Sequence, residues 1–207
     1  MLYICNEVKY LGDDFHKRMM PLLSEERVAK VKRLRYKNGK NESANAYMLL
    51  RIALRENYGI DDAVEFGYHE KGKPFLKDFP GIHFNLSHSK GVAACVVSDS
   101  EVGVDVQTIR SVTDRTAKRV LTEAEYAVFK GVPKPDEYFC GIWAIKESYM
   151  KRNGQGIAAA FRKLPADEIT DRKLIREKDY YCSVCGSFLE RMKVKYIRRE
   201  DFELLLN

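Results

Sequence analysis

Two periods run through the chain. Between Val102 and Gln107, valines at 102, 104 and 106 alternate with Gly103, Asp105 and Gln107, so a strand there sets the valines on one face and Asp105 with Gln107 on the other. The apolar run Val92–Val97 precedes it across Ser98, Asp99, Ser100 and Glu101, a short turn-forming link that predicts an antiparallel hairpin of the two runs. Asp105 then stands on a rigid element, either as a solvated strand acid or as part of a site.

Helical spacing governs most of the rest. Leu22–Arg35 predicts a helix with Ser24 as N-cap, Glu25 and Glu26 at its positive end, and Val28, Val31 and Leu34 on one side. Its other side carries Arg27, Lys30, Lys32, Arg33 and Arg35, continued by Lys37 and Lys40, a basic run that is either solvated or binds phosphate. A second helix is predicted over Ser43–Tyr58, with Ala46, Leu49, Leu50, Ala53 and Leu54 as its core stripe and Gly59 as its stop. Val64–Tyr68 and His83–Leu86 have strand character, and Gly72-Lys73-Pro74 between them is a turn presenting a lysine. Ser87-His88-Ser89 follows the second strand ahead of Gly91, where a turn would leave a hydroxyl and an imidazole exposed, in a structural or a catalytic role.

Asp114–Val120 and Thr122–Lys130 are predicted helices, the latter capped by Thr122 with Glu123 and Glu125 in its first turn. Phe139–Arg152 is a third helix in this region, and it breaks the amphipathic rule. Phe139, Ile142, Trp143, Tyr149 and Met150 share a face at 100° per residue, Lys146 falls in the middle of it, and Glu147 lies at its edge. A lysine there either carries its ammonium out to water or meets an anion. Glu147 and Lys151 also have the spacing of a plain surface ion pair. Beyond Gly154-Gln155-Gly156 the chain returns to strand patterns at Tyr180–Val184 and at Met192, Val194 and Tyr196. Helices plus an antiparallel strand set on each side predict an α+β fold of two similar halves, 1–100 and 101–207, with no independent linker.

At 207 residues and 45% apolar content the chain can bury a full core. Its start, MLYICNEVKYLGDD, alternates and meets charge early, which fits a first strand and a cytoplasmic protein better than a signal peptide. Cys5, Cys95, Cys140, Cys182 and Cys185 are odd in number and sit mostly in apolar runs, so no disulfide framework is expected. Cys182 and Cys185 lack the second pair that zinc would need. The net charge of +6 implies an anionic partner: nucleic acid, a nucleotide-like cofactor or an acidic protein.

Taken together, Phe84-Asn85-Leu86-Ser87-His88-Ser89, Val102-Gly103-Val104-Asp105, Trp143-Ala144-Ile145-Lys146-Glu147-Ser148 with Lys151, Gly154-x-Gly156 and the upstream Gly72-Lys73-Pro74 resemble the ordered signatures of the Sfp-type 4′-phosphopantetheinyl transferases. The resemblance implies a pseudo-twofold pair of α+β halves with coenzyme A in the cleft between them. The reaction implied is Mg²⁺-dependent transfer of the phosphopantetheine arm to a serine of an apo acyl or peptidyl carrier protein, releasing adenosine 3′,5′-bisphosphate. By the same resemblance Asp105 and Glu147 are expected as metal ligands, with Gln107 standing where the family often has a further acid, a change that weakens the site or favours another divalent ion. Lys146 and Lys151 are expected to face the phosphates, and Arg27, Lys30, Lys73 and His88 to hold them with Ser43 and Ser87 nearby. Glu147 is expected to activate the carrier serine, and Glu125 matches a family acid near the metal. Neither nucleic acid nor membrane is expected as a partner, and the internal duplication favours a monomer. Two other readings remain: an inactive relative that binds coenzyme A, and a nucleic-acid-binding module built on the basic run, for which no aromatic stacking platform is legible.

Overall fold

The computed structural model describes residues 1–8, 11–154, 161–187 and 189–206. In chain order the elements are β1 (Leu2–Cys5), α1 (Asp13–Met19), α2 (Glu25–Arg33), α3 (Lys37–Tyr58), β2 (Phe66–Tyr68), β3 (Pro74–Leu76), β4 (His83–Ser89), β5 (Val92–Ser98), β6 (Gly103–Thr108), α4 (Asp114–Val120), α5 (Glu123–Gly131), α6 (Pro135–Arg152), β7 (Arg172–Arg176), β8 (Tyr180–Cys185), β9 (Val194–Tyr196) and α7 (Arg199–Leu206). The content is α+β. No helix among the described residues is long and apolar enough to cross a membrane.

One sheet has the order β4-β5-β1-β9 and a second the order β6-β8-β7, with β2 and β3 as a separate pair. Period-two patterning explains how the first sheet is buried on both faces. Tyr3, Cys5, Cys95 and Val97 pack with the α3 stripe, while Leu2, Ile4, Ala94 and Val96 pack with Val102, Val104, Val106, Cys182 and Val184 of the second sheet. The valine face of β6 is therefore core. Its other face meets α6: a Cβ on Gly103 would overlap the carbonyl oxygen of Ser148, so glycine there is the condition for close approach of strand and helix.

The runs at 92–97 and 102–106 are not a hairpin. β5 is flanked by β4 and β1 and β6 pairs with β8, so the link between the two runs carries the chain from one sheet to the other. The hairpin is β4–β5, closed by Lys90 and Gly91 at φ 29° and 89°, the left-handed pair that a tight two-residue turn requires. Ser87, His88 and Ser89 accordingly lie within β4. Ser24 caps α2 by accepting from the Arg27 N–H, and Thr122 and Glu125 form a reciprocal capping box on α5. α3 starts at Lys37 and α6 at Pro135, both earlier than their apolar stripes indicate; proline is well suited to the first helical position.

Near the end of the chain β9 pairs in parallel with β1 and Phe202 of α7 joins the α3 core. Residues of the last two elements thus pack with the first sheet and α3. Between the halves, the edge strands β4 and β6 do not form a backbone ladder. Instead Asn85 Oδ1, Ser87 Oγ and Ser89 Oγ accept from the backbone N–H groups of Val104, Val106 and Thr108 at 3.1, 3.1 and 3.2 Å.

Candidate active site

The face of β6 opposite its valines brings Asp105 against α6, where Glu147 and Lys151 stand one turn apart. Lys151 Nζ donates to Asp105 Oδ1 at 2.7 Å, to Ser87 Oγ at 3.0 Å and to the Val104 carbonyl at 3.2 Å. Ser87 Oγ in turn donates to Asp105 Oδ1 at 2.8 Å. Oδ1 is thus doubly engaged, whereas the buried Asp105 Oδ2 has no partner, and neither has the buried Glu147 Oε1. Burial first, and the negative charge of Asp105 second, push the Glu147 carboxyl up to about 7 against the opposing pull of Lys151.

Two buried carboxylates with unpartnered oxygens are unfavourable by themselves and suit a hard divalent cation, which takes oxygen ligands and keeps waters. Gln107, on the same strand face as Asp105, accepts at Oε1 from Ser89 Oγ at 3.4 Å. No cluster of three or more His, Cys, Asp or Glu side chains occurs among the described residues.

Beside this pair opens a cleft of roughly 240 Å³ lined by Arg27 and Lys30 of α2, Ser43 of α3, Lys73 ahead of β3, His88 of β4, and Glu147 and Lys151 of α6. Arg27 is 6% exposed, and its Nη2 donates to the carbonyl and hydroxyl of Ser43 at 2.8 and 3.0 Å. Its buried Nε has no partner, and burial pushes the guanidinium down from its ordinary range. A buried guanidinium whose partners are neutral calls for an anion from outside the chain. His88 Nδ1 lies 3.3 Å from Glu42 Oε2. Lys73 contributes its stem to the cleft wall, while its ammonium binds Glu101 and, at 2.6 Å, the Arg152 carbonyl.

The expected residues thus come together with exceptions. Ser87 faces Asp105 and not the cleft, its hydroxyl already fully used. Lys146 is the clear correction: it is 0% exposed, and its ammonium donates to Glu125 Oε2 at 2.5 Å and to the carbonyls of Val120 and Phe161, both at 3.0 Å. Burial pushes it down and Glu125 opposes this. The anion that meets the lysine in the apolar stripe is therefore internal, and it anchors α6 to α5. Glu125, expected near a metal, is spent on that pair, on the Thr122 N–H and on the Ala166 N–H. Gly154 lines the cleft, and Gln155 and Gly156 lie outside the described residues.

Glu42 is the residue that sequence reasoning passed over. It falls four residues before Ala46 and seven before Leu49, on the helical stripe itself; an acid on a core stripe is the signal that would have found it.

Comparison with known proteins identifies relatives of the chain. Residues 101–191 match the model of the 4′-phosphopantetheinyl transferase superfamily. A 4′-phosphopantetheinyl transferase of Bacillus subtilis is 34% identical over 159 residues, covering 75% of this chain and 68% of the relative. The Sfp enzyme of B. subtilis strain 168 is 28% identical over 165 residues, 78% of this chain and 71% of the relative. HetI of Nostoc is 30% identical over 170 residues, with 72% of each chain covered. With 34% identity to a relative over 75% of this chain and 68% of that relative, the chain belongs to the 4′-phosphopantetheinyl transferase family.

Proposed function

We propose that the protein transfers the 4′-phosphopantetheine arm of coenzyme A to a serine of an apo acyl or peptidyl carrier protein, releasing adenosine 3′,5′-bisphosphate, in a Mg²⁺-dependent reaction. The observation that carries this reading is the meeting of two unpartnered buried carboxylate oxygens, on Asp105 and Glu147, with a cleft whose cations include Arg27, Lys30 and Lys151. Asp105 and Glu147 would hold the metal. When bound, Mg²⁺ supplies charge neutralisation on the pyrophosphate.

The chain's own groups account for the remaining requirements. Arg27, Lys30 and His88 bind and orient the phosphates of coenzyme A. The serine oxygen of the carrier attacks the phosphorus next to the pantetheine arm, and the bond from that phosphorus to the bridging oxygen of the leaving nucleotide breaks. Lys151, held at Asp105, lies where charge grows on that leaving group. The serine proton passes through a water to the Glu147 carboxylate. Ser87 binds no substrate in this scheme and keeps Asp105 aligned, while Lys73 shapes the wall.

Incubation with coenzyme A, Mg²⁺ and a panel of apo carriers, followed by intact-mass spectrometry, tests the reading. The carrier gains one phosphopantetheine group, and adenosine 3′,5′-bisphosphate appears in equal amount by chromatography. Calorimetric binding of coenzyme A with no mass gain on any carrier would replace the transferase by a binding protein.

A further inference from the structure

Glu42 is 8% exposed, and burying a carboxylate there is costly unless it has partners. Its two oxygens are used differently. Oε1 accepts the Gly91 N–H at 2.8 Å, and Oε2 lies 3.3 Å from Nδ1 of His88. Gly91 belongs to the left-handed turn that ends the strand carrying His88. One side chain of α3 therefore holds both the imidazole and the backbone next to it.

Glu42 does not line the cationic cleft. It lines a separate cavity of roughly 620 Å³ with His16, Lys37, Asn41 and Lys90, whereas His88 lines the cleft. A molecule in the cleft would touch His88 and not Glu42. An Nε2 that meets an anion must itself carry a proton, so the ring donates from both nitrogens, Nδ1–H to the Glu42 carboxylate and Nε2–H into the cleft.

We propose that Glu42 is a positioning residue that acts through His88, accepting Nδ1–H and holding the ring so that Nε2–H donates to an anionic group of the bound substrate. The inference rests on the reading of the cleft as the coenzyme A phosphate site. Its test is a double-mutant cycle on the full chain, with coenzyme A binding followed by calorimetry and KM and kcat followed with a carrier. Glu42→Ala should weaken coenzyme A binding about tenfold and raise KM with kcat nearly unchanged, and His88→Ala should weaken binding at least as much. In the His88→Ala background, Glu42→Ala should add less than about twofold.

An equal penalty from Glu42→Ala in both backgrounds would place its effect in the turn and not in the ring, overturning the proposal. Weakening by His88→Ala with none by Glu42→Ala overturns the proposal and leaves the cleft assignment standing. Unchanged affinity in His88→Ala removes His88 as a phosphate contact, and the proposal with it. Should Glu42→Ala fail to fold, Glu42→Gln, which keeps the volume, carries the same cycle with the same criteria.

Discussion

Glu147→Gln tests the electrostatics of the acid pair through stability, independently of turnover. The carboxyl is raised from 4.5 to about 7 by burial and by Asp105, so the folded protein holds a proton there that the unfolded chain has lost. A raised acid makes the fold most stable, as far as this group is concerned, below pH 4.5, and its contribution falls as pH climbs through the window between the two values. A displacement of that size corresponds to about 3 kcal/mol. Glutamine keeps the shape and cannot ionise. Urea unfolding in the presence of a chelator, followed by circular dichroism from about pH 4 to pH 8, should find the variant and the parent similar at the acid end, with the variant more stable by about 3 kcal/mol at the alkaline end. Adding Mg²⁺ at the alkaline end should stabilise the parent and leave the variant little changed, as a ligand that binds only the native state does. A gap between the two proteins that stays constant with pH would refute the strained-acid argument.

Three other outcomes follow from the geometry. Lys146→Met should cost about 3–5 kcal/mol by leaving the buried Glu125 carboxylate without its cation, read by denaturant unfolding, while coenzyme A affinity of the folded fraction stays at the parental value. Asp105→Asn should lower turnover by about a hundredfold or more, and calorimetry should show Mg²⁺ binding lost while the melting temperature is maintained. Gly103→Ala should destabilise by about 3 kcal/mol, because the added methyl meets the backbone of α6 at Ser148 and Arg152 and not a side chain that can move aside.

How far the sequence could be read depended on how local the information was. Caps were legible, since Ser24 and Thr122 act within three residues of themselves, and so was the division of β6 into a valine face and an acid face. Strand pairing was not, because the order of strands depends on partners far along the chain: β5 took β1 as its second neighbour, and β9 crossed back to the first sheet. The same limit applied within the site. Lys146 stood out correctly as an anomaly in its stripe, but a periodic pattern cannot show which anion answers it, and the answer lay 21 residues away at Glu125. Periodicity alone did not separate Arg27 and Lys30 from the rest of the basic run; the family resemblance singled them out, and the fold turns them into the cleft.

The seam between β4 and β6 has a consequence for the molecule as a machine. Two strands joined by a backbone ladder can slide by a pair of residues and re-form every bond, since each peptide resembles the next. Here the acceptors are three particular side chains, at Asn85, Ser87 and Ser89, so a slip would move the last of them past its donor and shift the middle one away from Asp105. Ser87 is at once the central rivet of the seam and the donor that aligns the Asp105 carboxylate. Correct assembly of the two halves and correct aim of the acid are in this way a single event, and the protein carries its own gauge of whether it has been put together properly.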